Sequence, residues 1–151
     1  MRPPFLLGLL LLLAALALLA ARLSPPRGGG EAAAYARHCQ ACHGPSGEGV
    51  AGIYPPLSEV GFLAASPEGR AYLVQSVLRG LPGGLVVEGT AYRVPMPGFS
   101  RLRDAELAAA LNHVLALLGA EAAPFTPEEV QALRGEALSP QEVLRSRPPV
   151  P

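Results

Sequence analysis

The sequence is poor in several residue types, and each shortage excludes a class of protein. The chain has 151 residues, two cysteines and no tryptophan, and its 12 basic residues are all arginines because lysine is absent. Two cysteines cannot staple a secreted domain that depends on several disulfides. With Arg2 and Arg22 of the N-terminal segment set aside, ten arginines face 12 acidic residues. This balance excludes a nucleic-acid-binding protein, which needs a basic surface.

The longest apolar stretch lies at the N-terminus, where it runs from Phe5 to Ala21 without a charge. Because this stretch has no polar face, it is predicted to enter a membrane rather than a soluble core. It is long for the apolar region of a signal peptide and short for a membrane span, so a cleaved signal peptide and an uncleaved anchor both stay open, with the anchor favoured. We therefore expect an exported protein on the extracytoplasmic, periplasmic side of the cell membrane, anchored by residues 5–21.

The rest of the chain is predicted to contain a linker, one domain and a tail. Residues 1–23 form the signal or anchor segment, and residues 24–30 form a linker whose prolines and glycines neither continue a helix nor pack a core. Residues 31–119 suffice for one modest domain. The same pattern occurs twice in the tail, residues 120–151. Thr126 and Ser139 are each followed directly by proline, and a glutamate stands three positions after each of them. This capping-box pattern predicts two short helices lying over the domain.

Helical patterns dominate the predicted domain. We expect helices over residues 31–38, leading into the cysteines, over 67–79, stopping at Gly80, and over 104–119, with acids in its first turn. Between the last two helices, residues 85–94 are predicted to form a small hairpin that turns at Glu88 and Gly89. The predicted fold class is all-α, with one small hairpin and with the first helix packed on the last.

One short motif carries the chemistry: Cys39-Gln-Ala-Cys42-His43. Two thiols one helical turn apart can add to the two vinyl groups on one edge of a haem and form thioethers. The histidine that follows can then supply an imidazole nitrogen to the iron. The motif therefore predicts one covalently bound haem c with its iron.

Three other uses of the two cysteines fit less well. A thioredoxin-like dithiol needs a βαβ context that the alanine-rich flanks do not offer. A structural zinc site needs four ligands, and the next histidine after the motif is His113, within a predicted helix. A disulfide between Cys39 and Cys42 would close a loop too small to stabilise the chain much.

The iron's remaining axial position needs a second ligand, and Met96 is the one methionine besides the initiator. Pro95 and Pro97 stiffen the loop on both sides of it. A thioether is a soft ligand that suits an iron bound in both oxidation states. Methionines more often fill gaps in cores, but the proline frame and the upstream haem motif favour ligation. We predict His43 and Met96 as the two iron ligands.

Residues from about Glu31 to Gly119 resemble a class I cytochrome c domain. The resemblance rests on the Cys-x-x-Cys-His-Gly motif and on the later Met-Pro-x-Phe run. It implies a helical cytochrome c-like fold around one covalent haem, with the hairpin preceding the loop of the distal methionine. It also implies Cys39 and Cys42 as attachment points, His43 as proximal ligand and Met96 as distal ligand.

The resemblance assigns roles to further residues. Pro55 matches the family proline whose carbonyl accepts a hydrogen bond from the proximal histidine, with Pro56 as the weaker candidate. Such a bond fixes the imidazole ring and raises its basicity. Leu57 matches a leucine that packs on the haem, and Tyr35 matches the aromatic residue that packs the first helix against the last.

Two other histidines are rejected as iron ligands. His113 stands where the family usually has an aromatic residue, but a helical histidine on a packing face is most often a core residue. His38 adjoins Cys39 and is expected to point away from the motif. The tail after Gly119 is a second departure from the family pattern.

Occupied axial positions leave the iron no site for oxygen or peroxide, so an electron carrier is expected rather than an enzyme. Three hypotheses stay open: a single-electron carrier on a membrane tether, a haem subunit of a larger dehydrogenase or reductase, and a haem sensor or peroxidase, which would need a vacant sixth position. Expected partners are a quinol-linked complex or dehydrogenase as donor, a terminal oxidase or reductase as acceptor, and the membrane. Because lysine is absent, docking is expected to use an apolar rim around the haem edge.

Overall fold

The structure, a computed structural model, describes residues 30–151. The predicted anchor at residues 5–21 and nearly all of the linker lie outside these residues. Within residues 30–151, no helix is both long enough and apolar enough to cross a bilayer. The elements in chain order are α1 (Glu31–His38), α2 (Gln40–His43), α3 (Val60–Leu63), α4 (Pro67–Arg79), β1 (Leu85–Val87), β2 (Thr90–Tyr92), α5 (Asp104–Leu118), α6 (Pro127–Arg134) and α7 (Pro140–Arg145).

The first helix packs on the fifth, as the sequence predicts. Tyr35 of α1 is almost fully buried, and its ring centroid lies 5.1 Å from that of His113 on α5. Its hydroxyl donates to the Gly44 carbonyl at 2.6 Å. Burial raises the pKa of Tyr35 to about 12, so the phenol stays a hydrogen-bond donor at neutral pH. The expected role of Tyr35 between these helices is confirmed.

Helix α4 has the predicted bounds, and its ends show why. The Ser66 hydroxyl accepts a hydrogen bond from the Gly69 N–H, and Pro67 occupies the first turn, where its missing N–H costs nothing. The helix stops at Gly80, whose φ of 79° is accessible to glycine and rare for other residues. The end of this helix therefore sets the direction of the loop that follows.

The hairpin forms where the sequence predicts, although its strands end at Tyr92 instead of Val94. Leu85 pairs with Tyr92 and Val87 with Thr90 in antiparallel register. Glu88 and Gly89 both have positive φ, 50° and 76°, as a two-residue turn between twisted strands requires. Strand β1 buries Val87, so one face of the hairpin covers the interior.

The tail forms its two predicted helices, α6 and α7, and each buries one valine, Val130 and Val143. The full capping box is present at Ser139, where the Glu142 carboxylate returns to the backbone N–H. The same reciprocal box was expected at Thr126, and that expectation is wrong. Thr126 accepts from the Glu129 N–H, but the Glu129 carboxylate is held by two 2.7 Å hydrogen bonds from Arg70. A charged donor is the stronger partner, so the side chain turns away from its own helix.

Four arginines, termed here the arginine clamps, fix the tail to the rest of the structure. Arg70 binds Glu129, and Arg79 donates to backbone carbonyls at the end of α6 and just after it. Arg134 binds Asp104 at the start of α5, and Arg147 binds Glu59 just before α3. The tail is thus held to α3, α4 and α5 by charge-assisted hydrogen bonds.

Candidate cofactor site

One large apolar cavity lies beside the cysteine motif. Its empty space, including the open mouth, is about 1280 Å³. The lining includes every site residue predicted from the sequence: Cys39, Cys42, His43, Pro55, Leu57 and Met96. Residues distant along the chain are therefore brought together around one largely apolar space.

The two cysteines are half-buried free thiols; Cys39 lies between α1 and α2, and Cys42 lies within α2. The His43 N–H donates to the Cys39 carbonyl at 2.9 Å, which continues the helical turn across the motif. Burial, and secondarily Cys42, raises the pKa of the Cys39 thiol to about 11. Cys39 is therefore protonated at neutral pH.

His43 is oriented by the Pro55 carbonyl. Its Nδ1 atom lies 2.9 Å from that oxygen, and because a carbonyl only accepts, Nδ1 carries the proton and donates. Burial lowers the pKa of His43, and the Pro55 carbonyl partly opposes this. The imidazole is thus neutral at neutral pH, and its Nε2 lone pair is available to a metal.

The loop that carries Pro55 is held against the motif by close backbone contacts. The Gly49 N–H donates to the His43 carbonyl at 2.8 Å, and Val50 pairs with Tyr54. A Cβ on Gly49, where φ is 67°, would lie 2.4 Å from the Tyr54 carbonyl. Only glycine fits this position. Because glycine has no side chain, the loop can approach closely enough for the Pro55 carbonyl to reach His43.

Met96 is fixed by its backbone. Its N–H donates to the Leu81 carbonyl and its carbonyl accepts from the Leu81 N–H, both at 3.0 Å. The flanking residues Pro95 and Pro97 line the same cavity. The methionine is consequently held between the end of α4 and two rigid residues, which favours its predicted role as a ligand.

The two rejected histidines have other partners. His113 packs against Tyr35 with the two rings tilted by 45°, and it is not among the residues that line the cavity. His38 does line the cavity, contrary to the expectation that it points away, but its Nε2 atom lies 3.1 Å from the Glu106 carboxylate. The hydrogen bonds from His38 and then Arg37 lower the pKa of Glu106. A carboxylate that engages His38 competes with any metal for that nitrogen.

Four polar residues in the cavity lining escape the sequence reasoning: Glu59, Tyr72, Ser76 and Arg147. In the sequence, Tyr72 counts only as an apolar residue of α4, and Ser76 follows it by one helical turn. Nothing in the local sequence marks Arg147, whose partner Glu59 lies 88 residues earlier.

The donor set fits a cofactor that brings its own metal. No group of three or more histidine, cysteine, aspartate or glutamate side chains in residues 30–151 could hold a bare ion, which argues against the zinc alternative. The cavity instead offers one imidazole, one thioether and two thiols within largely apolar surroundings. A haem needs these groups: axial ligands for an iron already bound by four porphyrin nitrogens, and thiols to fasten its edge.

Comparison with known proteins gives two findings. Residues 30–118 match the family described as cytochrome c. A curated relative named cytochrome c-552, from Thermus thermophilus, is 41% identical over 115 residues, which cover 72% of this chain and 88% of the relative. A second cytochrome c-552 from the same species is also 41% identical over 115 residues, covering 72% of this chain and 78% of the relative.

Proposed function

This chain belongs to the cytochrome c family, and from that premise we propose that it carries single electrons on one haem c, with Cys39 and Cys42 as thioethers and His43 and Met96 as axial ligands. Family membership makes it an electron-carrying haem protein rather than an enzyme, with one covalent haem c and its iron. The fold class follows as well, since the described residues are mostly helical with one two-stranded hairpin. The observation that carries the ligand assignment is the meeting of these four residues at one cavity.

The haem, when bound, supplies an iron that gains and loses one electron. His43 presents a neutral imidazole whose ring is fixed by Pro55, and Met96 presents a thioether whose backbone is fixed by Leu81. Neither residue has to reorient when the charge changes, which keeps the reorganisation during electron transfer small. The soft sulfur and the apolar lining, to which Leu57 contributes, favour the reduced state and raise the reduction potential.

We further propose that the protein is exported and tethered to the membrane by residues 5–21. Its donor would be a quinol-linked complex or a dehydrogenase, and its acceptor a terminal oxidase or reductase. Val94 lines the cavity and is 43% exposed. This side chain supports an apolar docking rim, which suits the small and short-lived contacts of redox partners.

Two alternatives start from the same residues. A haem subunit of a larger dehydrogenase or reductase would use the same cavity and the same ligands. A haem sensor or peroxidase would need an open axial position, and the double backbone pairing of Met96 with Leu81 argues against one.

Replacement of both Cys39 and Cys42 by alanine tests the haem assignment. Both thioethers are lost, so the purified chain should lose its haem under denaturing conditions, and haem staining after denaturing electrophoresis should show no band. Met96→Ala is the matched control, because it alters an expected ligand and leaves both thiols in place; its band should stay stained. A stained band from the double cysteine variant would refute the covalent attachment.

A further inference from the structure

The cavity lining contains one cluster of polar groups among apolar side chains. Glu59 and Arg147 are the only aspartate, glutamate, lysine or arginine residues of the described chain in the lining. Tyr72 and Ser76, one turn apart on α4, lie with them. Burial raises the pKa of the Tyr72 phenol, while the nearby Ser76 hydroxyl and Arg147 lower it and Glu59 raises it. The four groups therefore influence one another at a single place.

Ser76 has an unmet hydrogen-bonding capacity. The residue is 7% exposed, and its Oγ atom is buried; the Tyr72 hydroxyl is close enough to affect it, but no group among residues 30–151 meets it with the geometry of a hydrogen bond. A buried hydroxyl without a partner costs about 1–3 kcal/mol, so such groups usually face something they can bind. Ser76 lines the cavity, and an acceptor inside the cavity would satisfy its hydroxyl.

Arg147 is brought to the cavity by the tail. Helix α7 packs on α4 and is anchored by the fully buried Val143. The chain then turns, and Arg147 ends with a side chain that is only 17% exposed and is bound to Glu59. A guanidinium has five N–H donors in a planar fork, so binding to Glu59 leaves donors for a second acceptor.

We propose that Arg147 and Ser76, assisted by the Tyr72 hydroxyl, bind a carboxylate of the haem, one of its two propionates. This inference rests on the proposed function, and it assigns to the tail, which lies outside the matched residues 30–118, a direct part in the cofactor site. The chemistry is matched, because an arginine fork and hydroxyls are donors and a propionate only accepts. Glu59 competes for Arg147 and limits how tightly the propionate is held.

The arrangement has an electrostatic consequence for the haem. Oxidation adds one positive charge to the iron, and a partly buried guanidinium beside the cofactor disfavours that added charge. Arg147 therefore raises the reduction potential. Glu59, which has the opposite charge at the same place, lowers it.

The experiment compares three variants of the haem-loaded full chain by redox titration. Arg147→Gln should lower the midpoint potential relative to the parent. Arg145→Gln removes the same charge from an exposed position in the same tail, and it should leave the potential unchanged. Glu59→Gln breaks the same ion pair but keeps Arg147, and it should raise the potential.

A second measurement keeps the test decisive if Arg147→Gln folds poorly. Ser76→Ala removes the unpaired hydroxyl from a different element and should shift the propionate bending band in the resonance Raman spectrum, while Arg145→Gln should not. Equal potentials for the parent and Arg147→Gln, or equal falls in Arg147→Gln and Glu59→Gln, would overturn the inference. Absence of covalent haem from the parent chain would instead refute the proposed function itself, and haem staining of the same samples separates the two failures.

Discussion

At the scale of single residues, the proposed ligand Met96 is the residue on which an open position at the iron would depend. The geometry around it is unusually constrained, since both of its backbone groups pair with Leu81 and prolines lie on either side. In the proposed ligand set, its side chain is the partner of His43. Substitutions here therefore separate an electron carrier from a haem that binds small molecules.

We expect Met96→Ala to keep its haem, because Cys39, Cys42 and His43 are unchanged. The distal side of the iron opens to water, so the reduced variant should bind carbon monoxide, gain some peroxidase activity and have a lower reduction potential than the parent. Carbon monoxide titration and redox titration of both proteins measure these effects. Identical potentials and identical carbon monoxide spectra would show that Met96 is not the ligand.

The residues of the site differ in how far the sequence could identify them. Cys39, Cys42 and His43 form a contiguous motif whose chemistry is readable from spacing alone. Met96 could be inferred because the chain has so few methionines. Arg147 could not, because its approach to Glu59 depends on how the whole tail packs, and no local pattern encodes that.

At the scale of elements, the end of α4 is fitted closely to the Met96 loop. A Cβ on Gly80 would lie 2.3 Å from the Met96 carbonyl, and a Cβ on Gly98 would lie 2.8 Å from the Arg79 carbonyl. Two glycines thus let the helix end and the loop touch backbone to backbone. The position of Met96 depends on this contact as much as on its prolines.

Gly80→Ala should destabilise the protein and loosen Met96. Gly84→Ala is the matched control, because Gly84 also has a positive φ, 81°, but no atom lies within 4 Å of the position that an added methyl group would take. The control should cost about 1 kcal/mol through backbone strain, and Gly80→Ala roughly 1–3 kcal/mol more through overlap. Urea unfolding of both variants gives the difference. Equal losses would show that the loop relaxes freely.

The elements themselves could largely be predicted, because caps and turns act within a few residues. Ser66 and Gly80 mark the ends of α4, and Glu88 with Gly89 marks the hairpin turn. The single-turn helix α3 could not be predicted, since its four residues are too few to show a helical period of apolar residues. The capping box expected at Thr126 failed for the opposite reason: a distant arginine, Arg70, takes the carboxylate that the local pattern assigns to the helix.

The ion pair between Arg70 and Glu129 should make tail attachment sensitive to acid. The Arg70 guanidinium holds the pKa of Glu129 below its usual value of 4.5. A lowered pKa in the folded state means that the pair's contribution is present above that value and is lost as pH falls through the folded-state pKa. Glu129→Gln should therefore reduce the free energy of unfolding by about 1 kcal/mol near neutral pH, and the difference from the parent should vanish in acid.

Urea unfolding at a series of pH values measures this convergence. Glu128→Gln is the control, because Glu128 is exposed and makes no ion pair with any residue from 30 to 151. It should leave the pH dependence unchanged. A difference between Glu129→Gln and the parent that persists at low pH would contradict the assignment.

At the scale of the whole molecule, the apolar segment at residues 5–21 should decide where the protein is found. We expect the full chain to stay with the membrane pellet after a high-salt wash, because salt screens charges but does not displace an apolar segment. Deletion of residues 5–21 from the mature sequence, with export supplied by a cleavable signal peptide, should move the protein to the supernatant. A mature chain beginning after Ala21 would show instead that the segment is removed and the carrier is soluble.

The arginine clamps also determine how the attachment of the tail responds to alkaline pH. A guanidinium keeps its proton to beyond about pH 12, whereas a lysine ammonium releases its proton near about pH 10.4. Since the chain contains no lysine, alkali has no side-chain ammonium to neutralise. The arginine contacts that hold the tail therefore persist in solutions basic enough to dissolve lysine-based ion pairs.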